Sequence, residues 1–316
     1  MRNFFSLINN EQIKLYSRFS TWSMYIILAG IILASGLITF FFSDGLEEYG
    51  DNWREELQAK NEEYLEMQAE DEVFGDIHAY DIAKNEYYLE NDIKPLSYDA
   101  WQFALENAGL TMLVSLFTII VAASIVSSEF KWGTIKLLLI RPISRGKILW
   151  TKYVNVLIFS ISMLIFSFLI NLIIGAILFG INGLSPNIVI EGANGFEQVS
   201  VVSEILTKYG LNMVNLIIMA TFAFMISTLF RNNSMAIGLA IFLMFAGDII
   251  VSFLSKYDWA KFILFANTNL NQYMGNQSPV IDGMTLGFSI TVLVVYYIIF
   301  LLVSWLSFTR RDVAGH

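Results

Sequence analysis

Six long stretches of the chain consist almost entirely of apolar residues, and they limit the folds it can adopt. Each can cross the hydrocarbon layer as a helix, which needs about 20 residues. They contain no Lys or Arg, and their only acidic residue is Asp248. Membrane β-barrels are excluded, because their strands are short and alternate polar with apolar residues. The sequence predicts an all-α integral membrane protein whose residues 21–316 form one domain of six transmembrane helices. The predicted spans are 21–42, 108–127, 153–179, 211–230, 234–254 and 284–308.

The composition excludes several classes of site. The 316 residues are 56% hydrophobic and 15% charged, whereas a soluble domain has about 25% charged residues. The absence of cysteine removes disulfides, thiolate metal sites and cysteine nucleophiles. The two histidines, His78 and His316, are too few for a histidine metal cluster. We therefore expect no metal and no cofactor on this chain.

The segments between the spans form two sets of different charge. Segments 1–20, 128–152, 231–233 and 309–316 hold twelve Lys or Arg and three acids, whereas residues 44–107 alone hold nineteen acids and four bases. Because basic loops stay in the cytoplasm, both termini are predicted to be cytoplasmic and 44–107 an extracellular insertion, in the plasma membrane. The net charge of −9 comes from this insertion, so it does not indicate a nucleic-acid partner.

Three elements are predicted outside the spans. Residues 1–20 have the pattern of a helix that lies in the cytoplasmic interface. The extracellular insertion is predicted to be helical, with helices over 46–72 and 76–92. It could cap a substrate path, bind a partner, or form only a solvated acidic hairpin. The apolar cluster within 255–283 is too short to span and predicts a re-entrant or interfacial element before the sixth span.

The cytoplasmic loop 128–152 interleaves basic and apolar residues. The pair Arg141 and Pro142 ends a short amphipathic helix, since the residue before proline is pushed out of the α region. Ser144 is placed to cap the helix that becomes the third span. Such a loop either lies on anionic lipid head groups or docks into a groove of a partner.

This loop resembles the signature loop of ABC-2-type ABC transporter permeases. The resemblance is carried by the run Glu129-x-x-x-Gly133-Thr134-Ile135-x-x-Leu138-Leu139-x-Arg141-Pro142-Ile143-Ser144-Arg145, followed by Lys152. The N-terminal run Asn10-Glu11-x-x-Lys14-Leu15, with Arg18 and Ser20-Thr21-Trp22, is similar to the start of bacterial members. The six spans, the outer loop and the outer element before the sixth span also match.

The resemblance implies the membrane permease subunit of an ATP-driven exporter, paired with a soluble ABC ATPase subunit and with a second permease copy, identical or different. In such permeases this coupling loop sits in a cleft of the ATPase. The residues that would contact or orient the ATPase are Glu129, Gly133, Thr134, Arg141, Pro142, Ser144 and Arg145. Alternatively, Glu129 forms a salt bridge that anchors the loop, and the two arginines bind lipid phosphates.

The chain itself is not expected to be an enzyme. A P-loop needs a lysine followed by Ser or Thr, and no lysine here is followed by either. ATP and magnesium would therefore be used by the partner subunit.

Asp248, Asn171 and Asn215 form a candidate translocation path, because ionisable and amide groups inside a membrane are costly unless they have partners or a function. For Asp248 a structural hydrogen bond or an aqueous vestibule is the alternative. For the asparagines, hydrogen bonds between helices are the alternative.

Two other functions stay open: an ion-coupled secondary transporter that uses Asp248, and a membrane sensor or scaffold with an extracellular binding module.

Small residues four apart also make the fifth span a candidate dimer contact. They are Ser234 with Gly238, and Ala236 with Ala240.

Overall fold

The computed structural model describes residues 2–42, 49–70, 78–134, 143–192, 195–230, 232–275 and 278–310. Most of them are helical, and six helices are long and apolar enough to cross a membrane, which confirms the predicted number. The chain is thus a multi-pass membrane protein. The spanning helices are Phe19–Phe42, Ala100–Lys131, Arg145–Phe179, Val201–Leu229, Asn233–Leu254 and Leu286–Arg310.

We number the elements in chain order. The helices are α1 Arg2–Tyr16, α2 Phe19–Phe42, α3 Trp53–Glu70, α4 Ala79–Glu90, α5 Ala100–Glu106, α6 Thr111–Ile125, α7 Ser127–Lys131, α8 Arg145–Phe179, α9 Val201–Leu229, α10 Asn233–Leu254 and α11 Leu286–Arg310. The strands are β1 Asn187–Gly192 and β2 Gly195–Ser200.

The second spanning helix begins at Ala100, not at the predicted residue 108, so its first turns lie in what the sequence assigns to the extracellular insertion. It consists of α5, a 3-10 turn over Asn107–Leu110, α6 and α7. Asp99 sets its start, because its side chain accepts hydrogen bonds from the backbone nitrogens of Trp101 and Gln102. The same buried carboxylate accepts from the Asn182 backbone nitrogen at 3.1 Å and ties the end of α8 to this cap.

Two other spans are longer than predicted. α8 begins at Arg145, eight residues before the predicted start at 153, and α9 begins at Val201, ten residues before 211. The added turns are more polar, and hydropathy does not mark a helix that continues beyond the apolar layer. A helix can continue through polar residues outside the hydrocarbon layer, because its backbone hydrogen bonds are formed within the helix itself.

The insertion between the first two spans contains the two predicted helices, shortened to α3 and α4. Asn85 Nδ2 donates to Asn61 Oδ1 at 2.8 Å between them. An antiparallel hairpin of β1 and β2 packs beside α4, where Phe196 contacts the rings of Tyr80 and Tyr87. This hairpin corrects the all-α prediction, which treated its residues as loop.

α6 and α9 form the centre of the bundle. About half of their apolar stretches is buried (56%), against 17–22% for α2, α10 and α11. Along α10, Ala236 and Ala240 are fully buried and pack into the core. These two therefore cannot be the predicted dimer contact, whereas Ser234 and Gly238 lie on the exposed face.

The element before the sixth span is a run of three 3-10 turns, Asp258–Phe262, Leu264–Asn267 and Leu270–Tyr273. The buried Asn267 side chain donates to the carbonyls of Lys261 and Ile263, and its oxygen accepts from Ser289 Oγ on α11. Trp259 and Phe262 stay exposed. We name this run the 3-10 segment.

Candidate functional site

Four charged side chains meet where α1, α7 and α8 converge, and we call them the ion cluster: Glu11, Lys14, Glu129 and Lys152. Glu129 Oε1 accepts from Lys14 Nζ at 2.8 Å and from Lys152 Nζ at 3.0 Å. Lys152 Nζ also donates to Glu11 Oε2 at 2.9 Å. Two carboxylates and two ammonium groups make the cluster formally neutral.

Burial makes this arrangement necessary. The side chain of Lys152 is 1% exposed and that of Glu129 is 7% exposed. A buried charge costs several kcal/mol unless it is paired and hydrogen-bonded, so each side chain depends on the other. The sequence places both on helix ends next to the loop, and α1 brings the remaining two charges against them.

Lys14 is the most accessible member, with 48% of its side chain exposed. Burial lowers the pKa of Lys14, but the hydrogen bond to Glu129 and the negative charges of Glu11 and Glu129 raise it by more. The net pKa lies above the ordinary value of 10.5, so this ammonium remains charged at any physiological pH.

The loop folds back onto the cluster. Thr134 Oγ1 donates to Glu129 Oε2, so both carboxylate oxygens of Glu129 are engaged. Gly133 has a φ of +69°, a left-handed conformation that glycine adopts without strain. Glu129 thus forms the salt bridges that the sequence offered as the alternative to a partner contact, and Gly133 and Thr134 shape the turn around it.

The other predicted coupling residues lie elsewhere. Arg141 and Pro142 fall outside the described residues. Ser144 stands at the N-cap position of α8, as predicted, but its side chain makes no capping hydrogen bond. Arg145 Nη1 donates to the Thr309 carbonyl oxygen at 3.2 Å, which joins the start of α8 to the last turn of α11.

A cleft of about 420 Å³ lies beside the ion cluster, between α1 and the start of α8. Glu11 and Lys14 form part of its wall. Its other lining residues are Leu7, Asn10, Ile13, Ile143, Ile148 and Thr151. We call it the loop cleft. The charged cluster, the loop and an open groove therefore occupy the same end of the bundle.

A second cleft, of about 370 Å³, lies at the opposite end, beside the insertion. α6, α9, α10 and the 3-10 segment form its walls, and we call it the polar cleft. Of the predicted path residues it contains Asp248 and Asn215. Its other lining residues are Ala108, Gly109, Thr111, Met112, Ser115, Lys208, Asn212, Met219, Met244, Phe265, Thr268, Asn269 and Asn271.

Asn171 does not share this cleft. It is fully buried on α8, where its Nδ2 donates to the Ser167 carbonyl oxygen at 2.8 Å. The structure thus brings together two of the three predicted path residues and places the third in the helix packing.

The loop motif predicts a role for Glu129, whereas no motif joins Glu11, Lys14 and Lys152 to its site. Two signals pointed to them. Glu11 and Lys14 are three residues apart and so lie on the same side of α1, and Lys152 stands at the edge of an apolar run. The contact itself depends on how α1 packs against α8, which no local pattern encodes.

Comparisons with known proteins place the chain in a family. Residues 76–314 match the family described as "Protein of unknown function (DUF2705)". The chain is 40% identical over 315 residues to "Uncharacterized protein YhcI" of Bacillus subtilis (strain 168), covering 98% of this chain and 99% of that protein. It is 32% identical over 226 residues to "Uncharacterized membrane protein YdbK" of the same organism, covering 71% of this chain and 84% of that protein. The chain belongs to the DUF2705 family.

Proposed function

We propose that this protein is the membrane subunit of an ATP-driven exporter and that a separate soluble ATPase drives it through the 128–134 turn and the loop that follows. In this proposal both termini and the ion cluster face the cytoplasm, and the insertion faces outward. Two permease copies form the working unit in the plasma membrane. The charge asymmetry of the loops and the resemblance of the loop sequence support this arrangement.

The observation that carries the proposal is the ion cluster. A loop that only covered a helix end would not need a buried ammonium group and a buried carboxylate. Here Glu129 connects the loop to α8 through Lys152 and to α1 through Lys14, at 3.0 and 2.8 Å. Any displacement of the loop must move both helices or break these ion pairs, and breaking the buried pair of Glu129 and Lys152 costs about 3–5 kcal/mol.

This connection suggests how closure of the ATPase would reach the transport path. α8 runs for 35 residues from the loop to the opposite end of the bundle. There Gly175 lets it contact α5 so closely that a Cβ would lie 2.9 Å from Ala100 Cα. A shift of α8 would thus move α5, which continues into α6, a wall of the polar cleft. The ATPase then selects between two arrangements by binding one of them better.

The test is association. The tagged protein is co-expressed with soluble P-loop ATPases of its own genome, beginning with those encoded beside it, and captured in detergent with ATP present. We expect one ATPase to be retained in stoichiometric amount, and less of it with Glu129→Ala. Glu90→Ala, at an exposed acid on α4 at the other end, is the matched control and should retain the ATPase fully. Failure of every ATPase to co-purify would contradict the proposal.

A further inference from the structure

The polar cleft contains three hydrogen-bond acceptors that the described residues leave without a partner. The carbonyl oxygens of Asn215 and Asn271 are buried and accept no hydrogen bond within the described part of the chain. The Asp248 carboxylate takes part in none of the hydrogen bonds or ion pairs formed there. All three residues line the same cleft. For the two amide oxygens, which are buried, the lack of a partner costs about 1–3 kcal/mol each, so each calls for a donor.

A chain of hydrogen bonds fixes which amide atoms face the cleft unpaired. Asn212 Nδ2 donates to the Ala108 carbonyl oxygen at 3.3 Å, so the Asn212 oxygen is the acceptor on its other side. Asn271 Nδ2 donates to that oxygen at 2.7 Å. The Asn271 amide nitrogen thus has a hydrogen-bond partner, and the Asn271 amide oxygen has none among the described residues. The unpaired atom that Asn271 contributes to the cleft is therefore an acceptor.

Among the described residues that line the cleft, Lys208 is the only cation, and it stands where the cleft meets a further one. A further cleft of about 400 Å³ begins there, with Lys208 and Asn271 common to both. Glu191 and Glu204 line that outer cleft, and Glu204, one turn before Lys208 on α9, interacts electrostatically with it. The positive charge of Lys208 is thus opposed by Glu204, and Asp248 is left as the acid that lines the polar cleft itself.

One part of the cleft wall is apolar and adaptable. Met112, Met219 and Met244 line it together with Phe265, and methionine side chains accommodate varied shapes. Asp248 lies on an exposed part of α10 between Phe245 and Ile249, which are also exposed. In a spanning helix such a face borders the lipid, so an apolar chain can reach the cleft from the bilayer.

We propose that the polar cleft binds an amphiphile with a primary ammonium group, which donates hydrogen bonds to Asp248, Asn215 and Asn271 while its apolar chain packs on the methionines. This inference deepens the proposed function by naming the class of molecule that the exporter would carry. Only the statement that this molecule is transported depends on the proposed function. Binding itself requires no ATPase.

The test measures binding to the full-length protein in lipid nanodiscs without an ATPase, so failure of this proposal is distinct from failure of the transport function. The probe is radiolabelled dodecylammonium, with empty nanodiscs subtracted. We expect saturable binding that weakens about tenfold with Asp248→Asn, the effect of losing one charged hydrogen-bond partner. Asn215→Ala should weaken it severalfold. Asn171→Ala is the matched control, since Asn171 also has an unpaired buried oxygen but lies outside the cleft.

Two competing ligands test the chemistry. Dodecyltrimethylammonium has the charge without an N–H donor and should displace the probe more weakly than unlabelled dodecylammonium. Dodecanol has neither the charge nor the ammonium donors and should displace it least. Equal displacement by all three, or unchanged binding in Asp248→Asn, would overturn the proposal. Saturable ²²Na⁺ binding that depends on Asp248, without dodecylammonium binding, would overturn it in favour of an inorganic cation.

Discussion

The ring of Phe265 lies directly on Gly247. A Cβ at position 247 would approach the Phe265 Cγ to 2.2 Å, closer than atoms in proteins pack. This contact seats the 3-10 segment in a notch of α10, one residue before Asp248. Phe265 also meets Phe222 of α9 edge-on, with ring centres 6.2 Å apart. The wall that Phe265 forms in the polar cleft thus depends on the absence of a side chain at Gly247.

Replacing this glycine should displace the segment. We expect Gly247→Ala to lower the free energy of unfolding by about 1–3 kcal/mol, because overpacking forces side chains or backbone to shift. The measurement is the apparent melting temperature in detergent. Gly238→Ala, on the same helix, is the control, since a Cβ there meets no atom within 4 Å. That variant should be neutral or slightly stabilised, and equal melting temperatures of the two variants would contradict the packing account.

Removing the buried ammonium should be more costly than removing the accessible one. Lys152→Met leaves the buried Glu129 and the partly buried Glu11 with only Lys14 between them, and we expect a loss of about 3 kcal/mol of unfolding free energy. Lys14→Met removes a half-exposed partner and should cost about 1 kcal/mol or less. Both variants are compared by denaturant or thermal unfolding in the same detergent.

The Lys152 effect should depend on the remaining carboxylates. Adding Glu129→Gln to Lys152→Met removes the unpaired charge, so the double variant should be more stable than Lys152→Met alone. Additive losses in the double variant would show that the two side chains do not interact energetically.

The cap at Asp99 gives a third prediction. Asp99→Ala removes an acceptor from the backbone nitrogens of Trp101, Gln102 and Asn182, and we expect a loss of about 2 kcal/mol. Asp99→Asn keeps one side-chain oxygen for the cap and should lose less. Equal loss in both variants would indicate that the negative charge rather than the cap fixes the start of α5.

The effect of Asp248→Asn on transport distinguishes the proposed exporter from an ion-coupled transporter. If ATP drives transport, Asp248→Asn should raise KM for the transported amphiphile while leaving the maximal rate of ATP-driven transport within about twofold. The assay uses proteoliposomes that contain the protein and its ATPase. Transport that needs no ATP, follows an ion gradient and stops in Asp248→Asn would support the secondary transporter instead.

Hydropathy was sufficient to predict the six spans, because each needs a long apolar surface. It did not predict the helical turns that extend beyond the hydrocarbon layer. α9 begins at Val201 because a helix continues through polar residues such as Glu204 once its hydrogen bonds are formed. The β-hairpin was also missed, although the β-branched run Ile188, Val189 and Ile190 is typical of a strand.

The candidate site could be predicted only in part. A sequence motif singled out Glu129, and its position relative to Lys152, 23 residues away, could be inferred from two helix ends that flank one loop. The approach of Glu11 to Lys152 joins residues 141 apart, and it depends on how α1 lies across α8. Such contacts arise from tertiary packing, which local sequence does not specify.

The central claim is that the ion cluster transmits ATPase motion to the helices, and the ATPase rate of the purified complex tests it most directly. The purified protein and its ATPase are reconstituted together, and ATP hydrolysis is measured with and without dodecylammonium. We predict that Glu129→Gln still binds the ATPase but loses stimulation about tenfold, equivalent to 1.4 kcal/mol of lost coupling. Undiminished stimulation in Glu129→Gln and in Lys152→Met, with both variants folded, would contradict the account.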